Sequence, residues 1–505
     1  MTDVAKRMKE ISNHVYIDGR LRKSKATQSI DVIEPATEAV LGTIAQSPAA
    51  EIDAALASCA QAQKTWWRDL SAVERAHALH EIADRLQEMR HLLSEAMTRE
   101  MGKPYKESGD EIDWCIHSLR YSAEMGRNEQ GRVMGPAVAG QFHYTLKQPR
   151  GTAAFIMPFN YPLVLLCWEA GAALATGNAV IVKPSEYTTL TTLLFAEATK
   201  SLPDGLFQVV SGGAEVGRHL VEHRDTHVIA FTGSVPVGRA VAEACGRQIK
   251  PSLIETSGND PFLIMPSAPL DIAARAAAFS AYMNCGQICV SAERFYVHQD
   301  IHDEFVDKLV AETRKIRIGN GLGRVDMGPM VSSKERDRYE TILRGAIDEG
   351  ARPAVGGSRP AGFNQGWFVE PTVLVDCTPD MSVFHNESFG PVAPICRVSS
   401  FDEAMDLANA SEYGLGANIY TRDLEESIRA TEELQAGMVW VNAPLLDNDA
   451  GPFGGTKLSG MGRQLGPEGL ETFRTTKMIM IDPRCATQDF WWFPYADAEM
   501  HPQAK

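Results

Sequence analysis

The 505-residue chain is short of several things. Positive charge is scarce: 49 Lys and Arg stand against 65 Asp and Glu, a net charge of −16. No run of Lys and Arg stands out, which argues against a phosphate-binding surface for nucleic acid or an anionic membrane. An apolar signal core is missing from the opening "MTDVAKRMKEISNHVYIDGR". No apolar run reaches the length of a membrane span. The nearest, "PLVLLCWEAGAALA", is interrupted by Glu169. The nine cysteines are an odd number without a repeating spacing, which favours reduced thiols over a disulfide framework. A cytoplasmic location is the expectation. Solenoid-period repeats and low-complexity tracts are also absent.

What is there reads as a globular α/β chain, long enough for two or three domains that each bury a core. The N-terminal quarter reads mainly helical. In "HALHEIADRLQEMRHLLSEAM", Leu79, Ile82, Leu86, Met89, Leu93 and Met97 recur every three or four residues and form one apolar face. From about Gly151, short apolar runs ("TAAFIM", "NAVIV", "LFQVV", "HVIAF", "SLIE") alternate with amphipathic or small-residue segments. That pattern predicts a parallel sheet covered on both faces. Ligands of such sheets bind beyond the carboxyl ends of the strands, so the residues just after each run matter most. A second alternating section follows Phe262, with "AERFYVH" and "GMVWVN" as strands.

Four of those strand ends carry chemistry. "FTGSVPVG" places Gly233 and Gly238 around a strand-to-helix turn, where backbone amides and the Ser234 hydroxyl suit a diphosphate. "KPSE" offers Lys183 and Glu186 to the hydroxyls of an adenosine ribose, and Glu186 would repel a 2′-phosphate, favouring NAD over NADP. "ETSGNDP" puts Glu255 where a partly apolar site would raise its pKa into the range of a general base. "PFNYP" fixes Asn160 between two prolines as a donor to an oxyanion. Each has an ordinary reading as well: a plain turn, a helix N-cap at Ser185, an exposed glutamate, an Asn capping a turn. The stretch "NCGQICVSAER" adds Cys285 and Cys289. No further ligands of suitable spacing lie near, so no metal site is expected, and the other seven cysteines read as packing.

Together these residues resemble the NAD(P)-dependent aldehyde dehydrogenase superfamily. "PFNYP", "FTGSVPVG", "ETSGNDP", "GQIC", "NESFGPV" and "PFGGTKLSGMGR" match its six boxes in family order over nearly the whole chain. The resemblance implies a Rossmann-type cofactor domain (1–127 with 148–256) and a second α/β catalytic domain (257–470). A small β oligomerisation element with the C-terminal tail (128–147 with 471–505) completes it, in a homodimer or homotetramer. It implies Cys289 as nucleophile, attacking as the thiolate, Glu255 as base and Asn160 as oxyanion donor. Cofactor contacts fall at Phe159, Lys183, Ser185, Glu186, Gly233, Ser234, Gly238, Glu387 and Phe389. The implied product is a carboxylate, formed through a thioester. Transfer to coenzyme A and a non-catalytic relative are the alternatives, and intact Glu255 argues against both.

Two departures stand in the box that begins at Glu255: Ser257 replaces a family glycine, and Asn259 replaces a lysine with no step attached to the change. For the aldehyde tunnel the candidates are Glu111, Trp114, Tyr161, Leu165, Trp168, Ile288, Val290, Asp447 and Phe453. Acidic and aromatic groups together would suit a cationic aldehyde of the betaine-aldehyde or aminoaldehyde kind. The aromatic tail, Trp491, Trp492, Phe493 and Tyr495, is expected to pack on a partner subunit.

Overall fold

The computed structural model describes residues 2–128, 130–488 and 491–493. Tyr495 lies outside the described residues. The first sheet is built on five parallel strands in the spatial order 252–255, 228–232, 152–156, 179–183, 207–209. Its edges are antiparallel: Gly460–Met461 pairs with Ser252–Glu255, and His14–Ile17 reaches Phe207–Val209 through Tyr16 and Val209. All residues of Thr152–Ile156, Ala179–Lys183 and Val228–Thr232 are buried, as a sheet covered on both faces requires. "PLVLLCWEAGAALA" contributes the helix Val164–Ala175, buried along its whole length inside the protein. Among the described residues no helix is long and apolar enough to cross a membrane.

Chain order reverses beside Thr152–Ile156: later strands 179–183 and 207–209 lie on one side, 228–232 and 252–255 on the other. A crevice opens at such a switch point, beyond the carboxyl ends. "PFNYP" and "TGS" leave the two strands that border it.

The second sheet has the order 352–355, 372–377, 392–398, 292–298, 260–264, 416–420, 438–441, parallel except for its first pair. Only four residues, Thr256 to Asn259, join Glu255 at the end of one sheet to Asp260 at the start of the other. The second sheet therefore offers the amino ends of its strands to the crevice. Each sheet has its own core, and Phe453, Leu465, Leu470 and Phe473 return to the first. A separate three-stranded antiparallel sheet pairs Arg474–Ile481 with Phe142–Pro149 over eight residues and adds Val133–Met134.

The N-terminal quarter differs from its helical reading. His14–Ile17, Arg20–Lys23, Ser29–Ile33 and Val40–Ala45 are strands that precede the helices Ala49–Arg68, Ala72–Met101 and Tyr105–Asn128. These strands are four to six residues long, and "RLRK" is mostly charged, so no sustained alternation marks them. They form two local hairpins, 14–17 with 20–23 and 29–33 with 40–45.

Candidate active site

Cys289 sits where the two sheets face each other. The helix Leu270–Tyr282 ends before it, and Asn284, Cys285 and Gly286 follow with φ of +51°, +58° and +70°. Two successive non-glycine residues in the left-handed region are strained and need outside support. Asn284 receives it from Glu107, which accepts from its N–H (3.1 Å), and from side-chain bonds to the carbonyls of Asn160 (3.3 Å) and Gln287 (3.2 Å). Glycine is required at 286, because a Cβ would lie 2.3 Å from the Gly390 carbonyl carbon. Cys285 is a bystander: buried, its sulfur 3.6 Å from that of Met330, and its thiol pushed far up by burial.

The Glu255 carboxyl and the Cys289 thiol are close enough to shift each other's protonation. Burial raises Glu255 to about 7, against the neighbouring thiol and the bond from the Thr232 hydroxyl (3.3 Å). Its Oε1 is buried without a partner. Burial, and then Glu255 itself, push the Cys289 thiol well above its usual range. A sulfur beside a carboxyl in a dry site keeps its proton until the base takes it, so the attacking thiolate forms only as the base acts. The backbone of Gly258 presses on the nucleophile so closely that a Cβ there would stand 1.9 Å from the Cys289 carbonyl oxygen.

Asn160 is buried, and its side-chain amide donates to no protein group among the described residues. Its backbone carbonyl accepts from Lys103 Nζ at 2.7 Å. Lys103 is buried, ion-paired to Glu111, and 4.0 Å from the centre of the Tyr161 ring. Glu111 in turn accepts from the N–H groups of Leu163 (2.8 Å) and Val164 (3.1 Å), at the start of the helix Val164–Ala175. Its expected place in the tunnel is therefore corrected. The acid is consumed by Lys103 and by a helix N-terminus, and it holds the Asn160 turn from behind. The Lys103 signal was hidden: a lysine following Gly102, which closes the preceding helix, reads as solvated.

The tunnel that ends on Cys289 is lined by Trp114, Tyr161, Leu165, Trp168, Ile288, Val290, Asp447 and Phe453, as the sequence suggested, and also by Val164, Met283 and Leu445. Trp114 pairs with Tyr161 (6.2 Å between ring centres) and Trp168 with Phe453 (5.0 Å). Asp447 borders the mouth, and crowding there, with Asp449 beside it, raises its carboxyl.

On the other side of the crevice, the helix Val235–Arg247 starts directly after its strand, and the Ser234 hydroxyl makes no capping bond. Gly233 and Gly238 are needed for packing: Cβ atoms would meet Phe231 at 2.7 Å and Thr256 at 2.5 Å. Lys183 Nζ donates to the carbonyls of Pro184 (2.8 Å) and Gly212 (2.9 Å) and lies 3.6 Å from Glu186. Ser185 is not the helix N-cap expected of it. Thr188 holds that position, and the Ser185 hydroxyl accepts from the Tyr187 N–H at 3.3 Å. Phe159 stands edge-on between Tyr187 (5.6 Å) and Phe389 (5.8 Å). Glu387 accepts from the Gly258 N–H at 3.1 Å, and burial lifts it to about 8.

Sequence reasoning also missed one cluster of metal-ligating type, Asp53 with His219 and His223. Both imidazoles contact Asp53 through Nε2, at 2.6 and 3.4 Å. His223 Nδ1 accepts from the Asp225 N–H (3.1 Å), so its proton sits on Nε2 facing the carboxylate. Hydrogen bonding accounts for the cluster.

Comparison with known proteins gives one consistent answer. The model of the aldehyde dehydrogenase family matches residues 21–479. Betaine aldehyde dehydrogenase of Brucella canis is 36% identical over 92% of this chain and 96% of its own length. Glutarate-semialdehyde dehydrogenase of Pseudomonas aeruginosa is also 36% identical, over 92% and 97%. The crystal structure of betaine aldehyde dehydrogenase from Staphylococcus aureus in complex with NAD+ superimposes with a TM-score of 0.93 at 30% identity, covering 97% of this chain and 99% of that one. By the extent of these matches and the order of its boxes, the chain belongs to the aldehyde dehydrogenase family.

Proposed function

We propose that this protein oxidises an aldehyde to a carboxylate through a thioester on Cys289, with NAD as the hydride acceptor. The observation that carries the reading is the Cys289 thiol on the wall of an apolar tunnel, with the buried Glu255 carboxyl near enough to push its pKa up. As the sulfur bonds to the aldehyde carbon, Glu255 takes the thiol proton, and the carbonyl oxygen becomes an oxyanion. The free Asn160 amide and the Cys289 N–H are the donors for it. NAD, when bound, removes the hydride that turns this adduct into the thioester. Glu255, near 7, gives that proton up to solvent, then takes one from the water that attacks the thioester and returns it to the departing sulfur, releasing the acid and restoring the thiol.

The residues fit the cofactor. The uncapped first turn of Val235–Arg247 with the free Ser234 hydroxyl suits a diphosphate, and Lys183 beside Glu186 suits a ribose diol. Glu387 and Phe389 stand for the nicotinamide half. Glu186 favours NAD over NADP; Glu186→Ala is expected to raise the use of NADP relative to NAD.

The substrate tail we infer to be neutral or cationic. The tunnel wall has no Lys or Arg to grip a carboxylate, and its one acid is Asp447. The two curated relatives act on a betaine aldehyde and a semialdehyde acid at equal identity, so identity does not choose between them.

The three-part division 1–127 with 148–256, 257–470, and 128–147 with 471–505 is our reading; the separate sheets support it, although Gly460–Met461 joins the first sheet and Phe453, Leu465 and Leu470 pack on its core. Free cysteines throughout suit the reducing cytoplasm. The strand Arg474–Ile481 is an edge of its sheet among the described residues and exposes Met478, Met480 and Ile481, with Phe142 beside it. Such an edge needs a cover, and a second copy in a homodimer or homotetramer is the reading that serves both it and Trp491, Trp492 and Phe493.

Product analysis tests the activity. Aldehyde with NAD should yield the free acid whether or not coenzyme A is present, and Cys289→Ala should abolish aldehyde-dependent NADH formation. Unchanged NADH formation by that variant would end the assignment.

A further inference from the structure

Asn259, the substitution without a consequence in the sequence, has a task in the structure. Its Nδ2 donates to Glu293 Oε2 at 3.0 Å, and both side chains are buried. Glu293 belongs to no box. It is the second residue of the strand Ala292–His298, and its carboxylate reaches the turn Glu387–Ser388–Phe389. Ser388 N donates to Oε2 at 2.8 Å, and Ser388 Oγ and Phe389 N donate to Oε1 at 2.8 Å each. Three N–H groups and a hydroxyl converge on its two oxygens and hold the carboxyl in place, although burial raises its pKa.

The same turn is held from its other side. Arg338 NH1 donates to the Glu387 carbonyl and NH2 to that of Ser388, both at 3.0 Å. Two successive amides thus meet a carboxyl group, and two successive carbonyls meet a guanidinium. Between them Phe389 takes φ of +46°, a conformation a bulky residue adopts only where its surroundings impose it. An apolar residue at 293 would leave the amides of 388 and 389 buried and unpaired.

We propose that Glu293, keyed by Asn259 and opposed by Arg338, is a positioning residue that sets Glu387 and Phe389 for the nicotinamide half of the cofactor. The proposal rests on reading those two residues as cofactor contacts. It ties the linker that carries Glu255 to the turn that carries Glu387, through Gly258 N to Glu387 and Asn259 to Glu293.

Glu293→Gln tests it in the full-length protein. A glutamine must turn an NH2 toward one of the two donor pairs, so N–H faces N–H at Ser388 or at Phe389. Three readouts separate positioning from general damage. Amide exchange at 388 and 389, without cofactor, should quicken about tenfold or more. The Kd for NADH, by fluorescence titration, should rise about tenfold. Alkylation of Cys289 by iodoacetamide, without cofactor, should stay within about twofold of wild type. Asn259→Lys keeps a donor to the carboxylate and should retain NADH affinity. Wild-type exchange at 388 and 389 in Glu293→Gln would overturn the clamp. Faster exchange with unchanged NADH affinity, while Glu387→Ala weakens NADH, would overturn its positioning role. Unchanged NADH affinity in Glu387→Ala would instead overturn the cofactor assignment beneath the proposal.

Discussion

Glu169 gives the sharpest test of the electrostatics. It lies at mid-helix in Val164–Ala175, 1% exposed, with no cation at bonding distance. Gln464 Nε2 donates to its Oε1 at 2.7 Å, while its Oε2 is buried without a partner. Burial, with a smaller push from Glu255, raises the carboxyl from 4.5 to about 8. The folded protein therefore holds a proton on Glu169 between pH 4.5 and 8 that the unfolded chain has released. Stability is consequently lost as pH rises through that window. At about 1.4 kcal/mol per pKa unit, the loss relative to a neutral side chain is about 1 kcal/mol at pH 5, about 3 kcal/mol at pH 7 and about 5 kcal/mol above pH 8. Glu169→Gln keeps the volume and an acceptor for Gln464, and it removes the titration. Urea unfolding at pH 5, 7 and 8.5 should show the variant gaining on wild type with pH by those amounts. Glu100, Glu107, Asp260 and Glu387 are raised by burial too, so both proteins lose stability as pH rises. Only the gap between them reports Glu169. A gap that is the same at pH 5 and pH 8.5 would refute the picture of an unpaired buried acid.

Three further outcomes follow from the site. With Glu255 near 7, wild-type kcat/KM should climb tenfold per pH unit below about 7 and level off above it; Glu255→Gln should lose this break and about 10²–10⁴ in rate, measured by NADH formation across pH 5.5–9. Lys103→Met strands Glu111 in the interior and frees the Asn160 carbonyl; a loss of about 3 kcal/mol in urea unfolding, with a fall in kcat, is expected, and unchanged stability would refute the buried pair. Asp447→Asn should lower the kcat/KM ratio of a cationic aldehyde to its neutral isostere about fivefold at pH 8, where an acid raised by burial to about 7 is charged; an unchanged ratio there would show that the acid takes no part in selection.

The parallel strands were legible because continuous apolar runs can only be covered on both faces, and the site was legible because ligands gather where such strands end. Cys289, Glu255 and Asn160 all lie within a few residues of an apolar run. What stayed hidden shares a different property. Lys103, Glu111, Glu293 and Arg338 act through partners that are far away in the chain, so no local pattern marks them. Glu111 was assigned to the tunnel because Trp114 lies one turn away, but only the fold could show that Lys103 had claimed it. The strands between 14 and 45 were lost for another reason: they are short local hairpins, too short for an alternating pattern to show.

The linker Thr256–Asn259 ties these observations into one constraint. Thr256 N donates to the Ser459 carbonyl at 3.0 Å, and Ser459 Oγ donates to the Ser257 carbonyl at 2.8 Å. Gly258 lies against Cys289 and donates to Glu387, and Asn259 is bound to Glu293. Each of the four residues is therefore held, the first two by Ser459, so the backbone that carries Glu255 has no freedom to follow its carboxyl. The base can serve the thiol in one step and the water in the next only by turning its own side chain. The buried Oε1 without a partner, and a Thr232 contact as long as 3.3 Å, leave that side chain the looseness its backbone lacks. Ser257 is tolerated in this setting because its carbonyl is anchored by Ser459, and the pressed contact falls one residue later, at Gly258, where glycine remains.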